Sequence, residues 1–145
     1  MTQNKKTILY IDLCGRLPYN TIISVAERVT DGEIRWNDTT LTPYLFYQFA
    51  EEDMWDYVKP YLRPMDSMSP EEMQEYKDLY YQAPIYRSNG NAYRDVKKLE
   101  TLHIDWLNSR HFDHRGLIEA GLALKATDEM YKEDFYDERE QGISG

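Results

Sequence analysis

Residues 57–81, YVKPYLRPMDSMSPEEMQEYKDLYY, decide how the chain is divided. The centre of this stretch carries a full helix-start signal. Ser69 is placed as N-cap, Pro70 at the first helical position and Glu72 as the acidic member of a capping box. Met68 and Met73 occupy the two positions of a hydrophobic staple. Upstream, Pro60 and Pro64 each remove a backbone donor and push the residue before them into an extended conformation. The segment reads as a stiff extended arm that turns once and becomes a helix. Before it the pattern is that of short strands, and after it that of helices.

Working back from this point, residues 7–13 (TILYIDL) are rich in strand formers and predict a first strand. Gly15 and Pro18 bracket a turn. Residues 21–30 predict a second strand, with Ile23, Val25 and Val29 on one side. Asp31-Gly32 is a strong hairpin signal, because a type I′ turn needs positive φ at both central positions. The return strand over 33–37 alternates through Ile34 and Trp36, and a two-residue turn sets Val29 opposite Ile34 and Glu27 opposite Trp36. Residues 40–49 (TLTPYLFYQF) read as a further extended run whose start Pro43 demotes to an edge or bulge. A helix over 46–55 is the competing reading. Residues 56–62 supply a fifth strand. Five short strands so closely spaced suit a small antiparallel β-barrel or a strongly twisted sheet of SH3-like size.

Working forward, Met73, Tyr76 and Tyr80 recur at helical spacing and Pro84 ends that helix. Residues 82–91 (QAPIYRSNGN) have the composition of a loop turning at Ser88-Asn89-Gly90. Tyr93, Val96, Leu99 and His103 mark another helix. Asp105 is placed to cap a short helix carrying Trp106 and Leu107. Residues 116–120 suit a helical turn with Gly121 at the left-handed C-cap position, and residues 122–124 an extended edge returning to the sheet. Beyond Thr127, seven acids against Lys132 and Arg139 read as a frayed or partner-ordered tail. The expected fold is α+β. One domain over 1–125 comprises a β module at 5–64 and a helical section at 69–125, and an acidic tail occupies 126–145.

Composition narrows the function. The apolar fraction is 41%, but 13 Tyr and 3 Trp supply large surfaces to bury. A net charge of -9 argues against a general nucleic-acid binder, since attraction to phosphate needs a basic face. A local patch of Arg87, Arg94, Lys97 and Lys98 stands against that trend. A single cysteine, Cys14, forms no internal disulfide framework and points to a reducing compartment. No apolar run approaches the ~20 residues of a membrane span, and the amino-terminal segment is too short and too acidic for a signal peptide. A cytoplasmic protein is the expectation, with no cofactor.

His111 and His114 flank Phe112-Asp113, with His103 and Asp105 upstream. On one helical face such residues suit a zinc or other divalent site. The familiar metal signatures are absent, and imidazoles bonded to backbone near Asp113 explain the same residues. Cys14 beside Arg16 suggests an eased thiolate, but a small buried cysteine at a strand end is the commoner case. There is no glycine-rich phosphate loop and no serine elbow, so no enzyme is indicated. Tyr76, Tyr80, Tyr86 and Tyr93, with Arg87 and Arg94, crowd a charged, irregular region. Such residues suit a binding surface, because a phenol offers apolar area and a polar tip at low entropic cost; they equally suit the lid of a small core. Trp106, Phe112, Asp113, Arg115, Leu117 and Ile118 are assigned to a structural block joining the two halves. In it, Asp113 and Arg115 bond to backbone or to one another.

Three segments carry a resemblance. LCGRLPY at 13–19, YLRPMDSMS at 61–69 and DWLNSRHFDHRGLI at 105–118 resemble, in content and order, a group of small uncharacterised proteins of anaerobic gut bacteria and their phages. The resemblance spans most of the chain, leaving out residues 82–91 and the tail. It implies a phage or mobile-element setting and transfers no catalytic residue. The expectation is a non-enzymatic accessory protein that acts by binding another protein. Alternatives are a nucleic-acid-associated barrel using Arg87, Arg94, Lys97 and Lys98, and a metal-dependent hydrolase centred on His103, Asp105, His111, Asp113 and His114.

Overall fold

The computed structural model describes residues 1–28 and 31–132. Among them the order is α1 (Gln3–Arg16), β1 (Ile22–Arg28), β2 (Ile34–Thr40), α2 (Pro43–Glu51), β3 (Val58–Leu62) and α3 (Pro70–Asp78). Then come β4 (Ile85–Ser88), β5 (Asn91–Arg94), α4 (Val96–Ser109) and β6 (Leu124–Lys125). The class is α+β, as the sequence indicates. The sheet is open and mixed, in the order β2-β1-β3-β6, and β4 and β5 form a separate two-stranded ribbon. The twisted-sheet alternative therefore describes the molecule and a closed barrel does not.

Two expected strands are helices, each for its own physical reason. In α1 the stripe facing the core is Leu9, Asp12, Leu13 and Arg16, so two of its four members are charged and hide the helical period. The two charges neutralise each other. Arg16 Nε donates to Asp12 Oδ2 at 2.7 Å and Nη2 to Oδ1 at 3.0 Å, both side chains being fully buried. This ion pair lets a helix bury what looks like an interrupted face, and the β propensity of TILYIDL is overridden. Cys14 is exposed on this helix rather than buried at a strand end. In α2, Thr42 caps the helix by accepting from Leu45 N, and Pro43 sits at its start. The proline that seemed to weaken a strand is a helix-start residue. Only one rim of the aromatic run, with Phe49, is buried.

The β1–β2 register sets Arg28 opposite Ile34 and Ala26 opposite Trp36, one residue away from the two-residue-turn expectation. Ile34 and Trp36 do share a face, but both are exposed, as is all of β2. Val29 and Thr30 lie outside the described residues. Leu41 N donates to Thr21 O at 2.8 Å, so odd residues of β1 bond to β2 and even ones turn toward β3. Ser24 opposite Lys59 is then a bonded rung, and Pro60, opposite Ile23, falls between rungs. The missing N–H of Pro60 faces β6, whose parallel pairing begins only at Tyr61. That is how a central strand tolerates a proline.

The main core lies between this sheet and the helices α1 and α2. It contains Leu9, Leu13, Ile23, Phe49, Trp55, Val58 and Leu62, joined by Leu117, Leu122 and Ala123 from the far end of the chain. A second cluster of Leu79, Trp106, Leu107 and Phe112 sits between α3 and α4. Residues 122–124 do return to the sheet, as β6 beside β3. The expected acidic tail is packed over its first residues. Ala126 N donates to Leu62 O at 2.8 Å, and Tyr131 is buried. The remainder, 133–145, lies outside the described residues. Among the described residues no helix is long and apolar enough to cross a membrane.

Candidate binding surface

The capping box at Ser69 forms as its sequence dictates. Ser69 Oγ accepts from Glu72 N, and Glu72 Oε1 accepts from Ser69 N, both at 3.1 Å. The buried residues of the following turns are Glu72, half-buried Tyr76 and Leu79, while Met73 is exposed. Tyr76 stacks on His103, ring centroids 4.4 Å apart, and leans on Trp106 at 5.5 Å. Tyr76 therefore belongs to the rim of the second core, apart from the other tyrosines singled out with it.

Tyr86 and Tyr93 are on the two-stranded ribbon, and Tyr80 is in the short helical turn that precedes it. Residues 82–91 hold a strand and the first half of a hairpin rather than a loop alone. Asn89 and Gly90 are both left-handed, at φ 51° and 79°, and Ser88 pairs with Asn91, so the two-residue turn predicted for Asp31-Gly32 is realised here. Tyr86 pairs with Tyr93 on one face; Ile85 with Arg94 and Arg87 with Ala92 lie on the other. At the root, Arg94 Nη1 donates to Ala83 O at 3.0 Å, and its guanidinium lies 4.5 Å from the centre of the Tyr80 ring. Asp95 ties ribbon to helix: Oδ1 accepts from Lys98 N at 3.1 Å, capping α4, and Oδ2 accepts from Tyr86 Oη at 2.8 Å. Those two bonds, the Lys98 amide first, hold the Asp95 carboxyl below its ordinary pKa. Asp95, not Asp105, is thus the capping residue, and Asp105 is exposed in mid-helix. Tyr93 precedes α4 instead of belonging to it. Ile85, Tyr86, Tyr93 and Val96 are each more than half exposed, and Tyr81 more so. A two-stranded ribbon is marginal in water, and this one presents several large apolar side chains to solvent.

The HFDHR block is arranged otherwise. α4 ends in a paired-bond cap, with His111 N donating to Asn108 O at 3.1 Å and Phe112 N to Leu107 O at 2.9 Å. The residue at the left-handed position is His111, φ 65°, where glycine is usual. Its imidazole is buried, stacked on Tyr131 at 3.6 Å, with Nδ1 3.4 Å from Thr21 Oγ1. Burial first, then the cations Arg16, Arg63 and Arg110, lower its pKa to about 3. His114 donates from Nε2 to Asn108 Oδ1 at 2.8 Å, and burial with Arg16 and Arg115 lowers it to about 4. Asp113 accepts from the amides of Leu117 at 2.8 Å and Ile118 at 3.0 Å. Arg115 pairs with Asp12 at 3.4 Å rather than with Asp113. Trp106, Phe112 and Leu117 are buried and Ile118 half-buried.

Backbone bonds carry this block across the molecule. Arg63 N donates to His111 O and Asp113 N to Arg63 O, both at 2.8 Å, and Arg16 Nη2 donates to Phe112 O at 2.8 Å. The Arg63 side chain lies over the Phe112 ring, 4.2 Å from its centre, and reaches both Glu72 oxygens at 2.8 and 2.7 Å. Burial alone would raise the Glu72 pKa, but the Arg63 guanidinium and the Ser69 amide hold it below its ordinary value. Among the described residues no three His, Cys, Asp or Glu side chains are placed to hold a metal ion. His103 is turned to Tyr76, and Asp113 spends both oxygens on backbone amides. Two contributors escaped sequence reasoning. The Glu72–Arg63 pair hides behind a residue already explained as a cap, and Tyr131 sits in an acidic run. Comparison with family models, with characterised proteins and with solved structures finds no match.

Proposed function

We propose that this chain is a non-enzymatic binding module that recognises another protein through the β4–β5 ribbon, in a phage or mobile-element setting. The setting rests on the resemblance of its three motifs to the gut-bacterial and phage group. The recognition rests on one observation: Ile85, Tyr86 and Tyr93 stand more than half exposed on the ribbon, with Val96 beside them at the start of α4. Tyrosines paired across a strand supply rigid contact area, and hot spots are enriched in such residues. Residues 85–98 also carry Arg87, Arg94, Lys97 and Lys98 against a single acid, Asp95, in a chain of net charge -9. An acidic partner is repelled by most of the surface and attracted here, which fixes how it approaches. Arg87, Lys97 and Lys98, close in sequence to Tyr86 and Tyr93, also support the second reading, single-stranded nucleic acid stacked on the phenols.

The test is site-specific photo-crosslinking in host cells, with a benzophenone amino acid at Tyr93 or at Tyr44, which is exposed elsewhere on the molecule. A discrete protein adduct from position 93 and none from 44 is expected. Identical adducts from both positions, or none from either, overturn the proposal. A nucleic-acid adduct from position 93 selects the second reading.

A further inference from the structure

The sheet packs against α1 and α2 on one face. Its opposite face holds a groove of about 510 Å³ between β2, β1 and β3 that neither the ribbon nor the HFDHR block touches. It is lined by Ser24, Trp36, Asp38, Lys59, Tyr61 and Leu124. We propose that this groove binds a neutral saccharide.

Strand register builds the site. Asp38, Ser24 and Lys59 form one row across three strands, since Ser24 is opposite Asp38 on β2 and opposite Lys59 on β3. Trp36, two residues before Asp38, stands on the same face of β2 and is 45% exposed. Lys59 Nζ lies 5.8 Å from the centre of that ring and steadies it. Tyr61 Oη donates to Asp38 Oδ1 at 2.9 Å, and Ser24, itself buried, lies in the same row of side chains. The carboxylate is thereby oriented with Oδ2 left to accept.

The ligand class follows from what these groups complement. One carboxylate and one ammonium make the groove neutral, so no polyanion is drawn in, and the field of a chain of net charge -9 opposes one. A convergent acceptor and donor require a ligand bearing both, as vicinal hydroxyls do. An exposed indole in an open groove requires a ligand with one flat apolar face and polar edges. A pyranose ring meets all three requirements: its C–H face lies on Trp36, with hydroxyls to Asp38 and Lys59.

The experiment is a nuclear magnetic resonance titration of the full chain with glucose, galactose, N-acetylglucosamine, cellobiose, maltose and lactose, up to about 50 mM, because shallow sites bind weakly. The reporter is the Trp36 indole N–H, distinguished from the buried Trp55 and Trp106. At least one sugar is expected to move it saturably. That shift should vanish in Trp36→Ala and weaken by about tenfold in Asp38→Asn, which keeps the side-chain shape. It should be unchanged in Tyr86→Ser/Tyr93→Ser, which separates this site from the ribbon. No response to any of the six sugars overturns the proposal. So does a response that survives in both Trp36→Ala and Asp38→Asn, or tighter binding of adenosine at the same indole.

Discussion

Tyr131→Phe removes one oxygen atom and tests how the end of the chain is joined to the sheet. Even residues of β1 bond to β3, so the rung after Ser24 and Lys59 would join Ile22 to Tyr61. In its place stands the Tyr131 hydroxyl. It accepts from Ile22 N at 2.8 Å and donates to Tyr61 O at 2.8 Å, a bridge where the strands have parted. Phenylalanine keeps the ring stacked on His111 but leaves an amide and a carbonyl without that partner. An orphaned group costs about 1–3 kcal/mol when buried, and these two are part-buried; the relief of no longer burying a hydroxyl offsets part of the sum. A net loss of about 2–3 kcal/mol is expected, or roughly 6–10 °C in Tm for a chain of this size. Urea unfolding followed by tryptophan fluorescence gives the value directly, with an unchanged m-value showing that the unfolding unit is the same. Tyr81→Phe, at a site 74% exposed, is the control and should shift stability by less than about 0.5 kcal/mol. If the two variants are indistinguishable, the hydroxyl does not bridge the strands and the reasoning fails.

Trp106→Ala should cost about 3–5 kcal/mol in the same assay, as deletion of a buried aromatic packed on Phe112 and Tyr76 does. Retained stability would show that the block around it is a surface site. Asp12→Ala strands Arg16 in the core and should cost about 3–5 kcal/mol, whereas adding Arg16→Met should restore much of it; a double variant no better than the single one refutes the pairing. Acid sensitivity comes from the histidines. His111 and His114 titrate near about 3 and about 4 in the folded chain, below the ordinary 6.5, so the unfolded chain binds protons that the folded one refuses. Their stabilising contribution is complete above about pH 6.5 and is lost as pH falls toward those values. The slope should reach up to about 1.4 kcal/mol per pH unit for His111 and less for half-buried His114. Urea midpoints independent of pH between about 7 and 5 would contradict this.

Some local signals were legible in the sequence where a residue acts on its own backbone, while the caps at Thr42 and Asp95 and the register at Asp31-Gly32 were not. Ser69, Pro70 and Glu72 make their capping box, Gly121 closes the turn over residues 116–120, and Leu124 returns to the sheet. Where a residue's meaning depends on which side of its element is buried or on a distant partner, the pattern misled. Asp12 and Arg16 look like solvent-facing charges until each is seen neutralising the other on the buried side of α1, and that disguise turned a helix into an expected strand. His111 occupies a left-handed position that would announce itself as glycine, because its ring is needed between Thr21 and Tyr131. For the candidate surface, the tyrosine-rich composition was visible but its division was not. Tyr76 turned inward to His103, and Tyr86 and Tyr93 turned outward on a ribbon.

The sequence by itself determined the class, the helix start at Ser69, the turn at Asn89-Gly90 and the charge imbalance between residues 85–98 and the rest of the chain. These are consequences of φ preferences, capping geometry and net charge, all of which act over a few residues or need no geometry at all. Only tertiary structure decided that the buried side of α1 carries an ion pair, that Arg63 serves Glu72 and Phe112 together, and that Tyr131 completes a rung between strands. The last two join groups far apart in the chain. The first, though its partners are four residues apart, depends on which side of α1 the rest of the molecule covers. Burial cost follows from such packing, which no local pattern encodes.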